Sequence, residues 1–282
     1  MSTLSPVASR GGFALPRSPL APPPFETVAH RGAWNTAAKP LPQNSWYAYA
    51  EAERLGLALE LDVRPGKDGR LLVHHDRRLG RVFTHPDGPL PIDSLDAAAL
   101  ALVRLASPVP RGYPYRGDLE ALRAKGVAEP DALPELGQVL SAFPRMRCYV
   151  EFKPSFWNPW RDRRLAKAVL EAVRDAPDPL RCTLLSFSPA NLEALHRLAP
   201  RQPTGWLLRW HPMEGGRSRT AEALVASARA IGVSSLHPAY ADCSAVLVRT
   251  AHAAGLRVLP WVDSARQDRG AEARQLPTLL RR

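Results

Sequence analysis

The stretch Ala58-Leu59-Glu60-Leu61-Asp62-Val63 carries two acidic residues inside an otherwise apolar run. Side chains alternate along a β-strand, so Glu60 and Asp62 point to one face and the leucines point to the other. An apolar run of this kind is typical of a strand in a parallel sheet that is covered on both faces. A buried carboxylate is costly unless it is paired or bound to a metal, and the acidic pair therefore predicts a site for a hard cation with oxygen ligands.

The segment that follows is predicted to turn back on this strand. Lys67-Asp68-Gly69 is a turn sequence, and residues 70–75 are again strand-like and end in His74-His75. Only six residues, 64–69, separate the two runs, whereas a parallel crossover needs about a dozen or more. We therefore predict an antiparallel hairpin that brings His75 beside the carboxylates, while His74 faces away and is structural.

The rest of the chain alternates short β-rich runs with longer helical ones, which favours a parallel α/β fold. We predict seven strands in the main sheet, at residues 27–30, 58–63, 147–152, 182–187, 204–208, 234–237 and 257–262. Helices are predicted at residues 44–55, 165–173, 189–198, 220–230 and 244–254. Asn44 is the expected N-cap of the first helix, and Gly232 and Gly255 are the expected ends of the last two.

The composition changes at both ends of the chain and in one long insertion. Residues 1–26 are rich in Pro, Ser and Ala and lack the apolar core of a signal peptide, so we expect a flexible tail. Residues 27–264 form the predicted folded domain, in which the proline-rich residues 77–133 are an irregular insertion over the end of the sheet. Residues 265–282 are charged and weakly apolar, and they form an atypical C-terminal segment.

The charge and the cysteines limit the classes of partner. The 282 residues carry a formal net charge of +11, supplied by 33 Arg and five Lys that are spread along the chain. Since no segment interleaves them with aromatic residues, nucleic acid is not the expected partner. No run approaches the ~20 apolar residues that span a bilayer, so stable membrane insertion is not expected. Cys148, Cys182 and Cys243 are expected to be free thiols, and we predict a cytoplasmic protein.

Groups that transfer protons and bind phosphate surround the acidic pair in the sequence. His30-Arg31-Gly32 ends the first predicted strand, and Glu151 and Lys153 share one face of a later strand. Histidine transfers protons near neutral pH, and the cationic side chains suit phosphate oxygens. Together these groups predict hydrolysis of a phosphate ester with Mg²⁺ or Ca²⁺ as cofactor. The candidate site consists of catalytic His30 and His75, phosphate-binding Arg31 and Lys153, and the metal ligands Glu60, Asp62 and Glu151.

The order of these motifs resembles that of the glycerophosphodiester phosphodiesterases. The matching residues are His30-Arg31-Gly32, Pro42-Gln43-Asn44, Glu60-Leu61-Asp62, Asp68-Gly69, His75-Asp76, Glu151-Phe152-Lys153 and Ser186-Phe187. A late Trp261 also fits, and it is expected either to form an apolar wall near the glycerol of the substrate or to pack in the core. The resemblance implies a TIM-like (β/α)8 barrel with a hairpin and a cap insertion after the second strand, and an active site at the strand ends.

The resemblance also implies an activity. The expected reaction is metal-dependent hydrolysis of a small glycerophosphodiester to glycerol 3-phosphate and an alcohol such as choline or ethanolamine. One histidine would assist the attack and the other would protonate the leaving alcohol, in an order left open, and the attacking hydroxyl is either water or a hydroxyl of the glycerol. Two other functions stay open: phospholipase D-like cleavage of lysophospholipids, and a catalytically impaired barrel that binds phosphate compounds.

Two features depart from the family pattern. Gln43 stands where the family usually has Glu, which predicts weaker metal binding or an altered charge at the site. In addition, only seven barrel strands are evident, and no eighth strand is evident in residues 265–282. The barrel is then open, closed by a surrogate around residues 276–280, or completed by another chain. An open edge predicts either lower stability than that of a full barrel or self-association into a homo-oligomer beside residues 257–262.

Overall fold

The computed structural model describes residues 26–35, 40–107, 116–153, 159–209 and 220–262, which form a curled parallel sheet with helices packed against it. The strands within these ranges are β1 (Val28–Ala29), β2 (Ala58–Pro65), β3 (Leu71–Val73), β4 (Phe83–Thr84), β5 (Arg104–Leu105), β6 (Cys148–Phe152), β7 (Cys182–Ser186), β8 (Thr204–Leu208), β9 (Ser235–Pro238) and β10 (Arg257–Val258). The helices are α1 (Trp46–Arg54), α2 (Ala97–Leu100), α3 (Arg116–Ala124), α4 (Leu136–Ala142), α5 (Pro159–Arg174), α6 (Pro189–Leu198), α7 (Ala221–Ile231) and α8 (Ala245–Ala253).

The order of the main sheet confirms the predicted fold class. Its seven parallel strands follow one another as β1-β2-β6-β7-β8-β9-β10, so each successive strand of the domain is added to the same growing edge. All seven predicted strands are present, although β1 and β10 are shorter than expected. Within the described ranges β1 and β10 each pair on one side only, and an eighth strand is not seen. The proposed surrogate at 276–280 lies outside the described residues.

The hairpin after β2 is confirmed. Strand β3 runs antiparallel to β2 with Val73 opposite Val63, and the backbone N–H of His74 donates to the carbonyl of Asp62 at 2.9 Å. This pairing returns the chain to the end of β2 and places His75 beside the acidic residues. The side chain of His74 is buried against residues of the insertion. Its ring lies edge-on to Phe83, and its Nε2 is 3.3 Å from the carbonyl of Arg78. These contacts fit its predicted structural role.

The start of α1 differs from the prediction. Ser45, and not Asn44, is the N-cap, and its hydroxyl accepts from the N–H of Ala48. Asn44 has a φ of +52°, a left-handed conformation that asparagine tolerates better than most residues, and its side chain points to Asp62 instead. Gly232 ends α7 with a φ of +85° as predicted, whereas the short helix α4 had no predicted counterpart.

The insertion is more regular than predicted. It holds the antiparallel pair β4–β5, a turn of 3₁₀ helix at Ile92–Ser94 and the helices α2 and α3. The prediction of an irregular segment was wrong because apolar residues between its prolines join the main hydrophobic core; these include Phe83, Ile92, Leu95, Val103 and Leu122. Its role as a cap stays a prediction.

Among the described residues, the helices are too short or too polar to cross a membrane.

The inner face of the curled sheet follows from the strand register. Asp62 pairs with Glu151, and Glu151 pairs in turn with Leu185. Because side chains alternate, every second residue along these strands shares that face. Ala58, Tyr149, Leu185 and Leu207 make one apolar cluster inside the sheet. The acidic residues of the predicted site therefore lie on the same inner face, nearer to the carboxyl ends of the strands.

Candidate active site

Three buried carboxylates meet at the carboxyl ends of β2 and β6. Glu60, Asp62 and Glu151 each offer one oxygen, and these oxygens all lie within 4.8 Å of one another. Ca²⁺ at ~2.3–2.6 Å from each ligand would span oxygens up to about 5 Å apart, and Mg²⁺ at ~2.0–2.1 Å would span about 4 Å. The spacing therefore fits Ca²⁺ directly, and the all-oxygen donor set suits either ion. The predicted convergence of the three residues is confirmed, and their binding of a metal stays a prediction.

Lys153 lies against two of these carboxylates. Its Nζ is 2.8 Å from Oδ1 of Asp62 and 2.6 Å from Oε1 of Glu151. Burial lowers the pKa of Lys153, but the two carboxylates outweigh this effect and raise it. A divalent ion would therefore share Asp62 and Glu151 with a permanent cation, and Lys153 is placed to reach any anion that the ion holds.

The carboxylates differ in their affinity for protons. Burial, together with the charges of Asp62 and Glu151, raises the pKa of Glu60 well above its usual range. Burial also raises the pKa of Glu151, although Lys153 opposes it. At Asp62 burial acts in the same direction, but the charges of Lys153, of His75 when it is protonated, and of Arg31 outweigh it and lower the pKa. Asp62 is therefore the firmly ionised member of the cluster.

The His30-Arg31-Gly32 turn has a shape that explains its sequence. Gly32 has a φ of +80°, and a Cβ at this position would lie 2.7 Å from the Cβ of Ala48. Arg31 is also left-handed at +58°, which sends its backbone N–H to Oε2 of Glu60 at 2.9 Å. Strained backbone of this kind is found at functional sites, where surrounding contacts hold it in place. The turn places Nε2 of His30 at 3.9 Å from Glu60.

Both predicted catalytic histidines favour the neutral form. Burial, followed by the charge of Arg31, lowers the pKa of His30 to about 4. Burial also lowers the pKa of His75, although a hydrogen bond between its Nδ1 and Asp76, at 2.8 Å, opposes it. If Nδ1 carries the proton in that bond, Nε2 of His75 is left as the acceptor. Arg64 donates to the carbonyl of His75 at 2.8 Å, so it fixes this loop.

Two buried polar residues next to Asp62 were not predicted as part of the site. The amide Nδ2 of Asn44 donates to Oδ2 of Asp62 at 2.9 Å, and the hydroxyl of Tyr49 donates to Oδ1 of Asn44 at 3.0 Å. All three side chains are buried. The chain of hydrogen bonds orients the Asp62 carboxylate. In the sequence, the contact between Asn44 and Asp62 was indicated only by the Pro-x-Asn motif. Because asparagine is also a common N-cap residue, Asn44 was assigned to the start of α1 instead.

Gln43 contacts arginines. Its Oε1 accepts from Nη1 of Arg31 at 3.1 Å and from Nη1 and Nη2 of Arg81, both at 3.3 Å. The Nε of Arg81 donates to Asp76 at 3.0 Å. The glutamine thus supplies an uncharged acceptor to both arginines, and the predicted weakening of metal binding or change in charge stays a prediction. Arg81 was not predicted at all, because it lies in the insertion with no characteristic spacing to the other motifs.

Trp261 follows β10, the last strand in the order of the main sheet. Its Nε1 donates to the carbonyl of His237 at 3.0 Å, and its ring stands at 89° to that of Phe187, with centroids 6.1 Å apart. The guanidinium of Arg209 lies 4.9 Å above the Trp261 ring. Trp261 is half-buried, and its predicted contact with substrate stays a prediction.

Comparison with known proteins places the chain among relatives of one kind. The model of the "Glycerophosphoryl diester phosphodiesterase family" matches residues 30–276. A "Glycerophosphodiester phosphodiesterase" of Bacillus subtilis is 26% identical over 95% of this chain and 84% of that protein. A phosphodiesterase of Oleispira antarctica, solved in complex with the product sn-glycerol-3-phosphate, superimposes with a TM-score of 0.64 at 21% identity, covering 84% of each chain. A glycerophosphodiester phosphodiesterase of Parabacteroides distasonis gives 0.62 at 21% identity and 88% of each chain. These two structures share the fold, and the match of the family model over most of the sequence shows that the chain belongs to the glycerophosphoryl diester phosphodiesterase family.

Proposed function

We propose that the protein hydrolyses glycerophosphodiesters to glycerol 3-phosphate and an alcohol, with a divalent metal ion as cofactor. The observation that carries this proposal is the convergence of Glu60, Asp62 and Glu151 to within 4.8 Å at the carboxyl ends of two neighbouring strands. Membership of the family supports the reaction class. The sn-glycerol-3-phosphate bound to the Oleispira antarctica relative supports the identity of one product.

The three carboxylates would hold Mg²⁺ or Ca²⁺, and the bound ion would supply positive charge against the phosphate. Lys153 and Arg31 would bind the phosphate oxygens. Their present ion pairs keep both cations at the cluster, with Nε of Arg31 at 3.3 Å from Asp62. A bidentate guanidinium is suited to two phosphate oxygens at once. These residues thus fix the phosphate between the two histidines.

Protons are exchanged by His30 and His75. One histidine, as the neutral imidazole, accepts the proton of the attacking hydroxyl. The other has to carry a proton as the imidazolium, a form that the negative charge of a bound phosphate would favour, and it donates that proton to the leaving alcohol. The hydrogen bond from His75 to Asp76 holds the ring of His75 in one tautomer and one orientation. Trp261 and Phe187 present an aromatic wall beyond β10 and β7 that would contact the carbon atoms of the substrate. Action in the cytoplasm and assembly into a homo-oligomer stay predictions; the three free cysteines fit a reducing compartment.

The test is the release of glycerol 3-phosphate from glycerophosphoglycerol by the purified chain, measured enzymatically with Mg²⁺, with Ca²⁺ and with a chelator. We expect release with metal and loss with chelator. Asp62→Asn should lower kcat by about 10² or more, because it removes the ionised ligand. Arg104→Gln, which changes an exposed ion pair in the insertion, is the matched control and should keep full activity. Equal activity of wild type and Asp62→Asn would refute the assigned site.

A further inference from the structure

Two cysteines face each other on neighbouring strands, outside the candidate active site. Cys148 begins β6 and Cys182 begins β7, and the parallel register places them directly opposite one another. Neighbouring strands lie ~4.8 Å apart, within the ~4.4–6.8 Å that separates the Cα atoms of a disulfide. The thiol of Cys182 donates a hydrogen bond to the sulfur of Cys148, so the two side chains already meet. The pair therefore needs little backbone movement to form a disulfide.

The guanidinium of Arg181 supplies positive charge to this pair. Arg181 is fully buried, and none of its contacts among the described residues is with a carboxylate. Its nitrogens donate to three backbone carbonyls at and after the end of α4, those of Leu140, Phe143 and Met146. Its Nη1 also lies 3.2 Å from Sγ of Cys148. Because a buried charge is costly without an opposite charge beside it, this contact favours Cys148 as a thiolate.

Cys148 and Cys182 differ in their affinity for protons. The hydrogen bond from Cys182 lowers the pKa of Cys148, burial opposes it, and the charge of Arg181 lowers the pKa further. The same hydrogen bond, together with burial, raises the pKa of Cys182. The carbonyl of Met146 is 3.6 Å from the sulfur of Cys148, but it already accepts a hydrogen bond from Arg181. A thiolate in contact with a thiol is the arrangement from which oxidation leads to a disulfide.

Cys243 provides a comparison within the same chain. It follows the 3₁₀ turn at Tyr240–Asp242 and is half-buried, whereas the paired cysteines are fully buried. Burial raises the pKa of Cys243. It is thus the more accessible thiol and the weaker nucleophile. A reaction limited by access alone should modify Cys243 first, and one that selects for the thiolate should modify Cys148 first.

We propose that Cys148 and Cys182 form a site of reversible oxidation, at which hydrogen peroxide joins β6 to β7 through a disulfide. The thiolate of Cys148 attacks one oxygen of the peroxide, and the O–O bond breaks to give a sulfenic acid and a hydroxide ion. Cys182 gives its proton to that hydroxide and attacks the sulfenic sulfur, whose hydroxyl leaves and regains the proton that Cys148 had given up. Two thiols and one peroxide thus become one disulfide and two waters.

The position of the pair decides which oxidants reach it and what the cross-link affects. Peroxide is small and uncharged, and it would enter when the sheet opens locally at the amino ends of β6 and β7. The carboxylates Glu60, Asp62 and Glu151 lie toward the carboxyl ends of β2 and β6. Oxidation therefore joins the strands at the end opposite to the candidate active site, and this inference does not depend on the proposed function.

The test is peroxide treatment of the purified, reduced chain, followed by unfolding in an alkylating reagent, digestion with trypsin and mass spectrometry. Trypsin cuts after Arg147 and Arg181, directly before the two cysteines, so each cysteine lies in a peptide of its own. We expect a disulfide between these two peptides. Alkylation should be lost from both cysteines at the same rate, and several-fold faster than from Cys243. Dithiothreitol should restore both thiols.

Single replacements identify the attacking sulfur, with circular dichroism to check that each variant folds. Cys182→Ser keeps a hydroxyl donor, so Cys148 should stop at the sulfenic acid and be labelled by dimedone. Cys148→Ser should leave Cys182 unlabelled, and Cys243→Ser, the matched control, should form the disulfide as fast as the wild type. The inference is overturned if Cys243 is oxidised while the pair stays alkylated, or if Cys182 is labelled in Cys148→Ser. A pair that stays reduced under conditions that oxidise the unfolded chain would overturn it as well.

Discussion

Replacing Glu26 by Gln is expected to lower the free energy of unfolding by about 3 kcal/mol. Glu26 precedes β1, and its two carboxylate oxygens bind arginines from other strands: Oε1 lies 2.7 Å from Arg147, before β6, and Oε2 lies 2.9 Å from Arg257, at the start of β10. The hydroxyl of Tyr149 donates to the same carboxylate. This ion cluster joins β1 and β10, the two strands that have a partner on one side only among the residues described.

The magnitude follows from the burial of each partner. The side chain of Glu26 is 6% exposed and that of Arg147 is 12% exposed, and breaking a buried ion pair typically destabilises by about 3–5 kcal/mol because a charge is left behind. Arg257 is 32% exposed, so water screens it and its pair contributes less than about 1 kcal/mol. Because Gln keeps an oxygen that accepts hydrogen bonds, we expect the total loss of unfolding free energy from the two pairs to lie near its lower end, at about 3 kcal/mol.

The assay is guanidinium chloride denaturation followed by circular dichroism, with the midpoint and the slope fitted separately. Glu53→Gln is the matched control, because Glu53 makes one ion pair, with Lys125 at 2.9 Å, and is 36% exposed. It should lose about 0.5 kcal/mol. If Glu26→Gln loses no more than this control, the ion cluster does not hold the two edges of the sheet together.

Three further results are expected. His30→Ala and His75→Ala should each lower kcat by about 10² or more with an unchanged circular dichroism spectrum, and near wild-type turnover at saturating metal would remove that histidine from the mechanism. Asn44→Ala should weaken Mg²⁺ or Ca²⁺ binding about tenfold in calorimetric titration, with Tyr49→Phe weaker in effect, because Asp62 loses its orienting donor; unchanged affinity would contradict that role. Burial, and then the charge of Arg257, lowers the pKa of His237 to about 3 from 6.5, so the unfolded chain takes up a proton there first as the pH falls. Stability should therefore drop by roughly 4 kcal/mol between pH 6.5 and 3, and His237→Gln should flatten that part of the pH profile of unfolding.

The elements that the sequence predicted are those whose signals are local. Alternation along residues 58–63 places Glu60 and Asp62 on one face whatever the rest of the fold does, and the short turn after Val63 requires an antiparallel return. Glu151 was placed by the same periodicity, and the parallel register then brought it opposite Asp62. Strand geometry thus predicts which way each carboxylate points, and the neighbouring positions of β2 and β6 in the sheet bring the three together.

The contacts that were missed depend on how loops return. Arg81 reaches Gln43 across 38 residues of sequence because the start of the insertion returns to the segment before α1, and no spacing rule connects the two. Asn44 combines two signals, a capping preference and a family motif, and the local preference suggested the wrong partner. The buried apolar residues of the insertion were hard to recognise among its prolines, which mark turns but do not prevent short strands between them.

The most direct test of the account is phosphorus NMR of glycerophosphoglycerol with the metal-stripped protein, before and after addition of Mg²⁺ or Ca²⁺. The diester resonance should persist without metal and be replaced by that of glycerol 3-phosphate when metal is added, and Glu151→Gln should suppress this conversion at the same metal concentration. Conversion that proceeds equally well in the presence of excess chelator, or a diester that stays intact with either metal, would contradict the assignment of Glu60, Asp62 and Glu151 as the metal centre of a glycerophosphodiester hydrolase.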